Sequence, residues 1–176
     1  MKVYLAEPIK PNSTTTFTMD WDAVIPQQIR RSGRNNREGV DMTMTQWYPK
    51  IAEYDYDGWA TFDYLGREFH APFSDFDVNI KINKDYVVGA GGILENPTEV
   101  KGYDAAAKIK AEKDKKATWR WTAKNILDFA WSADRDYSVE SFTIPEGPKV
   151  YLVYQKNDKT KAWGEAQPYI TNISRS

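Results

Sequence analysis

The sequence predicts an all-β fold, an antiparallel β-sandwich or saddle-like sheet with one surface helix at about residues 103–116. Three observations lead there. Along residues 75–81, Phe76, Val78, Ile80 and the following Ile82 alternate with Asp75, Asp77, Asn79 and Lys81, so an extended backbone places every apolar group on one face. Residues 118–132 repeat the pattern with aromatics, Trp119, Trp121 and Ala123 sharing one face and Leu127, Phe129 and Trp131 the next. Aromatic residues make up 14% of the chain, with 7 Trp and 11 Tyr, the composition of a sheet-type interior rather than of disorder.

At 176 residues the chain is long enough for one domain burying roughly 70% of the surface exposed by its unfolded form. Residues 1–162 read as that single β domain, with a loop insertion at 29–39, and residues 163–176 as a polar edge or linker. Lys and Arg number 24 and Asp and Glu 25, a net charge of −1 that gives no long-range attraction to nucleic acid or to an anionic membrane. Cysteine is absent, which excludes disulfides and thiolate metal sites and leaves the compartment open. No apolar run approaches the ~20 residues of a membrane span, and the opening MKVYLAEPIKPNS lacks the apolar core of a signal peptide.

In chain order, residues 2–6 alternate around Val3 and Leu5, and Phe17, Met19 and Trp21 alternate with Thr16, Thr18 and Asp20. The two stretches read as a hairpin whose loop is marked by Pro8, Pro11 and Asn12-Ser13. Residues 29–39 carry four arginines among Ser, Gly and Asn without periodicity; a phosphate or RNA patch is one reading and a solvated insertion the favoured one, since the rest of the chain is not basic. Trp47, Tyr48, Tyr54, Tyr56 and Trp59 come next, around Pro49 and the turn signal Asp57-Gly58. Residues 86–90 form a short strand with a glycine-rich exit, Gly89, Gly91 and Gly92, that fits neither phosphate-loop pattern. The helix at 103–116 rests on Ala and Lys content and on pairs such as Asp104 with Lys108 at helical spacing. Residues 142–144 stop at Pro145, and 149–155, KVYLVYQ, read as a buried strand.

Catalytic constellations are sparse. His70 is the one histidine, and with Glu68 it shares one face of a strand, the nearest approach to a metal or acid/base pair. Asp55 with Asp57 and Asp75 with Asp77 could serve calcium or a two-carboxylate hydrolase, but a turn and a solvated strand face account for them first. Asp134, Arg135 and Asp136 read as a charged turn. Trp47, Trp59 and Trp163 lie among loop residues and could grip sugar rings; capping the core or facing a neighbouring domain is the favoured alternative.

The blocks QWYPKIAEYDYDGW, REFHAPFSDFDVNIKINKDYVVGAGGIL and TWRWTAKNILDFAWSADRDY, with the opening LAEPIKPNSTTTFTMDW, resemble in order and spacing the amino-terminal β domain of the aminopeptidase N family of zinc metallopeptidases, in its bacterial branch. The DFAW sequence is the most specific of these matches. The resemblance covers nearly the whole chain and implies a fragment: the family's domain has further strands before the position of Met1, and its catalytic domain, with HExxH, a later glutamate and GxMEN, comes after Ser176. It implies a non-catalytic domain that frames the substrate cleft of an aminopeptidase, with no cofactor in this chain and zinc in the catalytic domain outside it. The implied partners are that catalytic domain and, through the parent, a peptide substrate, with a dimer through exposed sheet edges expected of the isolated piece. A bacterial exported or periplasmic parent fits the resemblance. No catalytic or metal-binding residue is assigned. Gln46 is carried over as the residue that helps hold the substrate's free amine; Trp47-Tyr48-Pro49 stand where the family has a glutamate-containing pattern. A carbohydrate-binding β-sandwich module using the loop aromatics is the alternative, and a hydrolase centred on His70 the third reading.

Overall fold

The structure, a computed structural model, describes residues 2–29, 31–61 and 71–173. Its strands are β1 (Gly33–Arg34), β2 (Met42–Met44), β3 (Tyr54–Asp55), β4 (Gly58–Trp59), β5 (Ser74–Asn83), β6 (Val87–Ala90), β7 (Ile93–Leu94), β8 (Lys116–Ile126), β9 (Trp131–Asp134), β10 (Tyr137–Thr143) and β11 (Lys149–Gln155). All strand pairings are antiparallel, in sheets ordered β1-β2-β9-β6, β5-β8-β7, β10-β11 and β3-β4. The all-β expectation holds.

The alternation that predicts β5 is the one that builds the core. Val78 faces Trp121, Ile80 faces Trp119, Ile82 faces Ala117 and Phe76 faces Ala123 across the β5–β8 ladder. This apolar face meets that of the four-stranded sheet, where Met42, Ala133 and Val88 are aligned in one row and Met44, Trp131 and Ala90 in the next. Residues of both faces belong to one cluster in which Trp119, Phe129, Val88 and Val100 are fully buried. Truncating one such aromatic costs about 3–5 kcal/mol, which makes this two-sheet interior the main source of stability. The β10–β11 hairpin lies on the other side of the four-stranded sheet: the Val153 side chain sits 3.1 Å from the place of a Cβ on Gly89, and Val139 and the fully buried Val87 both lie against Gly102. At Gly92, φ is +99° and a Cβ would come within 2.3 Å of the Thr122 carbonyl oxygen, so glycine here serves the close approach of β7 to β8.

Several expectations are corrected. Residues 103–116 are not helical. Their donors turn outward: Lys108 and Lys110 N–H donate at 2.9 Å to the carbonyls of Thr98 and Glu99, both in the 3₁₀ turn Pro97–Glu99. Asp104 accepts from Ala106 N–H at 2.7 Å, a local bond that competes with helix. The ion pairs likewise reach across the fold, Lys110 to Glu99 and Lys81 to Glu112 (2.5 Å), instead of along one helix face. The α-helix of the described residues is α1 (Gln167–Ile173), in the segment read as a polar edge. The amino-terminal hairpin is absent: residues 2–24 form no strand, and no backbone bond joins residues 2–6 to 16–21. Alternation makes a strand only where a ladder partner exists, and Phe17 and Trp21 stay 51% and 40% exposed. Within the arginine-rich loop, Gly33–Arg34 pairs with β2, and Arg34 N–H donates to the Pro26 carbonyl at 2.8 Å; Arg30 lies outside the described residues. Residues 127–130 are a bend, with β9 beginning only at Trp131.

The turn at residues 112–116 offers a direct check. Lys115 N–H donates to the Glu112 carbonyl at 2.9 Å and Lys115 has φ +61°, so Lys113 takes the second turn position, which favours proline. Lys113→Pro is expected to change unfolding free energy by no more than about 0.5 kcal/mol in urea titration; a loss near ~3 kcal/mol is the result a helix would give.

Candidate functional site

The antiparallel register of β2 on β9 sets Met44 opposite Trp131, so the chain leaving β2 runs beside the bend that enters β9. Residues 46–50 and 128–131, about eighty positions apart, therefore meet. Trp47 Nε1–H donates to the Phe129 carbonyl at 2.9 Å, and Tyr48 OH donates to Asp128 Oδ1 at 3.0 Å. Lys50 Nζ pairs with the same Asp128 oxygen at 3.1 Å. On the other side, Ser32 Oγ accepts from Thr45 N–H at 2.8 Å and donates to the Thr45 carbonyl at 2.5 Å. Rings fill the junction: Tyr48 lies 5.8 Å from Phe76, Phe76 is 6.1 Å from Phe129, and Trp47 is 6.2 Å from Trp131 and 6.0 Å from Trp21.

Gln46 sits at the outer corner of this junction, exposed, with φ +50°. The left-handed conformation is unfavourable by roughly 1–2 kcal/mol for a side-chain-bearing residue, and it is imposed here by the bonds on either side of it. The same conformation occurs at Asn35, Lys115, Asn125 and Glu146. Gln46 has an amide that both donates and accepts, which suits it to a polar ligand group.

Burial first, then the Asp128 carboxylate, raises the Tyr48 phenol well above its ordinary 10.0. Tyr48 therefore remains a donor to Asp128 across the physiological range. Burial similarly raises Tyr103, whose hydroxyl donates to the Val88 carbonyl at 2.7 Å.

The other sequence-level candidates resolve into structural roles or lie elsewhere. Asp55 Oδ1 accepts from Asp57 N–H at 2.9 Å within the β3–β4 turn, and Asp75 Oδ1 accepts from Asn125 N–H at 2.9 Å. Asp77 is on the exposed face of β5. Asp134, expected in a charged turn, is buried in β9, where its two oxygens accept from Asp41 and Asp136 N–H at 2.9 and 2.7 Å. Arg135 pairs with Asp41 at 2.8 Å and lies 4.2 Å over the Tyr86 ring. No sequence periodicity marks Asp134 as buried; the signal lies in its place opposite Val87 on the inner strand of the sheet. Glu68 and His70 fall outside the described residues. Among the described residues no three His, Cys, Asp or Glu are gathered as metal ligands, and no helix is long and apolar enough to cross a membrane. Trp47, Trp59 and Trp163 are not one platform: Trp47 is bonded into the junction, Trp59 packs on Tyr54, and Trp163 packs on Tyr154 at 5.8 Å.

Asp128 and its donors are visible in the sequence only as two separate blocks, and the pairing of β2 with β9 is what joins them. Since the folded Tyr48 pKa is raised, the stability it contributes is complete below pH 10.0 and lost as pH rises beyond it. Tyr48→Phe is expected to lower unfolding free energy by about 1 kcal/mol at neutral pH and to soften the alkaline decline above pH 10.0. Urea titrations of both proteins on either side of that pH test this; equal alkaline declines would contradict it.

Compared with protein-family models, with curated proteins and with solved structures, the chain matches none.

Proposed function

We propose that this chain is a non-catalytic amino-terminal domain of a zinc aminopeptidase of the aminopeptidase N type, framing the substrate cleft of a catalytic domain that lies outside it. One observation carries the reading: the three sequence blocks that resemble that family converge on a single junction, with the exposed Gln46 beside it. Block one supplies Trp47, Tyr48 and Lys50, block two Phe76, and block three Asp128, Phe129 and Trp131. A backbone held on both sides before a ligand arrives loses little freedom on binding, the arrangement expected beside a residue that holds a substrate's end. In this reading the Gln46 amide oxygen accepts from the free amine of a peptide, while zinc and the water it activates belong to the catalytic domain. This chain's own role is to position the amine.

The test begins with the natural coding sequence beyond the codon for Ser176. The reading expects HExxH with a later glutamate there; an unrelated domain or a stop codon would overturn it. In the parent enzyme, Gln46→Ala should raise KM for an aminoacyl p-nitroanilide by about tenfold, one hydrogen bond to a charged group, with kcat changed much less. The purified chain alone should hydrolyse no such substrate, and oligosaccharides should give no saturable quenching of its tryptophan fluorescence.

A further inference from the structure

The β3–β4 hairpin presents an aromatic surface that the rest of the described fold does not cover. Tyr54, Tyr56 and Trp59 are 67%, 94% and 56% exposed, and Ile51, just before them, is exposed as well. Among the described residues their one ring contact is within the hairpin, Tyr54 against Trp59 across the strands at 5.0 Å and 70°. Two-stranded hairpins are marginal alone, and this one is shaped by three devices. Asp55 Oδ1 closes the turn on Asp57 N–H at 2.9 Å, Gly58 takes φ +99°, and Ala60 N–H extends the ladder to the Glu53 carbonyl at 2.8 Å. The hairpin backbone is thus defined by its own bonds, and among the described residues its rings meet no ring outside it. Tyr and Trp are the residue types that dominate protein recognition surfaces, and exposed clusters of them mark binding sites.

Charge selects the partner. Residues 54–61 carry Asp55 and Asp57 and no cation, in a chain whose net charge is only −1. Asp55 and Asp57 are the sequence neighbours of Tyr54 and Tyr56, so their charges act on the rings within about a Debye length, 8–10 Å. Aromatic faces and carboxylates together favour a planar, weakly hydrated cation, the guanidinium of arginine, over a neutral sugar or an acidic surface.

We propose that the β3–β4 hairpin docks an arginine-bearing polypeptide segment, its guanidinium groups stacking on Tyr54, Tyr56 and Trp59 in the field of Asp55 and Asp57. The assignment does not depend on the peptidase reading, and either can fail without the other.

Titration of the purified chain with hexaarginine, hexaglutamate and cellohexaose, followed by tryptophan fluorescence and calorimetry, tests it. Hexaarginine should saturate and the other two should not. Trp59→Ala and Tyr56→Ala should each weaken hexaarginine binding about fivefold. Asp55→Asn with Asp57→Asn, which keeps a side-chain acceptor for the turn, should weaken it at least as much, while Glu146→Gln on a distant exposed turn leaves it unchanged. Because Tyr56 makes no ring contact among the described residues, its substitution leaves the fold intact even if that of Trp59 loosens the hairpin. Absence of saturation by hexaarginine, saturation by either control ligand, or equal weakening by Glu146→Gln would overturn the proposal.

Discussion

The register of β5 against β8 is the constraint on which the rest depends. Because side chains alternate with a period of two, a slip of one residue would turn Phe76, Val78 and Ile80 to water and Asp77, Asn79 and Lys81 to the core. The register is held by the opposition of branched side chains to tryptophans, Val78 to Trp121 and Ile80 to Trp119. Cross-strand pairs of this kind add about 0.2–1 kcal/mol each beyond burial. An irregularity between Ser74 and Phe76, and the bond from Asn125 N–H to Asp75, lock the far end of the ladder.

The chain beyond β8 inherits that placement. Asn125 takes φ +55° near the end of the strand, the backbone bends through 127–130, and Phe129 inserts into the core with no exposure. Asp128 is thereby delivered to the rim, where Tyr48 and Lys50 reach it. The exposed Gln46 corner is thus anchored to the buried sheet through Asp128 and Phe129, in addition to the β2–β9 ladder and the Ser32–Thr45 bonds. The amino-terminal arm touches this junction through Trp21 on Trp47.

The parts of the fold legible in the sequence are those where one strand's own side chains settle the outcome. β5 and β8 announce themselves by alternation, and β11 by a run of branched and aromatic residues. The arm around Phe17, Met19 and Trp21 alternates equally well, yet forms no strand, because periodicity reports a face and says nothing of the ladder partner. Residues 103–116 have helical composition, but a segment so short and so poor in apolar residues is marginal as a helix, and the carbonyls of Thr98 and Glu99 take its donors instead. The candidate site is half legible: Gln46 stands out through a family resemblance, while the Asp128 anchor emerges only once β2 is paired with β9. Asp134 carries the same lesson, since a charged residue in a polar stretch gives no sign that it will be buried and doubly bonded to backbone.

Backbone ¹⁵N relaxation probes most directly whether the Gln46 corner is a rigid extension of the sandwich. A rigid corner gives order parameters for residues 46–50 near the value of about 0.85 found for strands, matching β8 and well above those of residues 2–24. Values for 46–50 as low as those of the arm, below about 0.6, would contradict it, for a mobile corner would not hold Gln46 in place for any ligand.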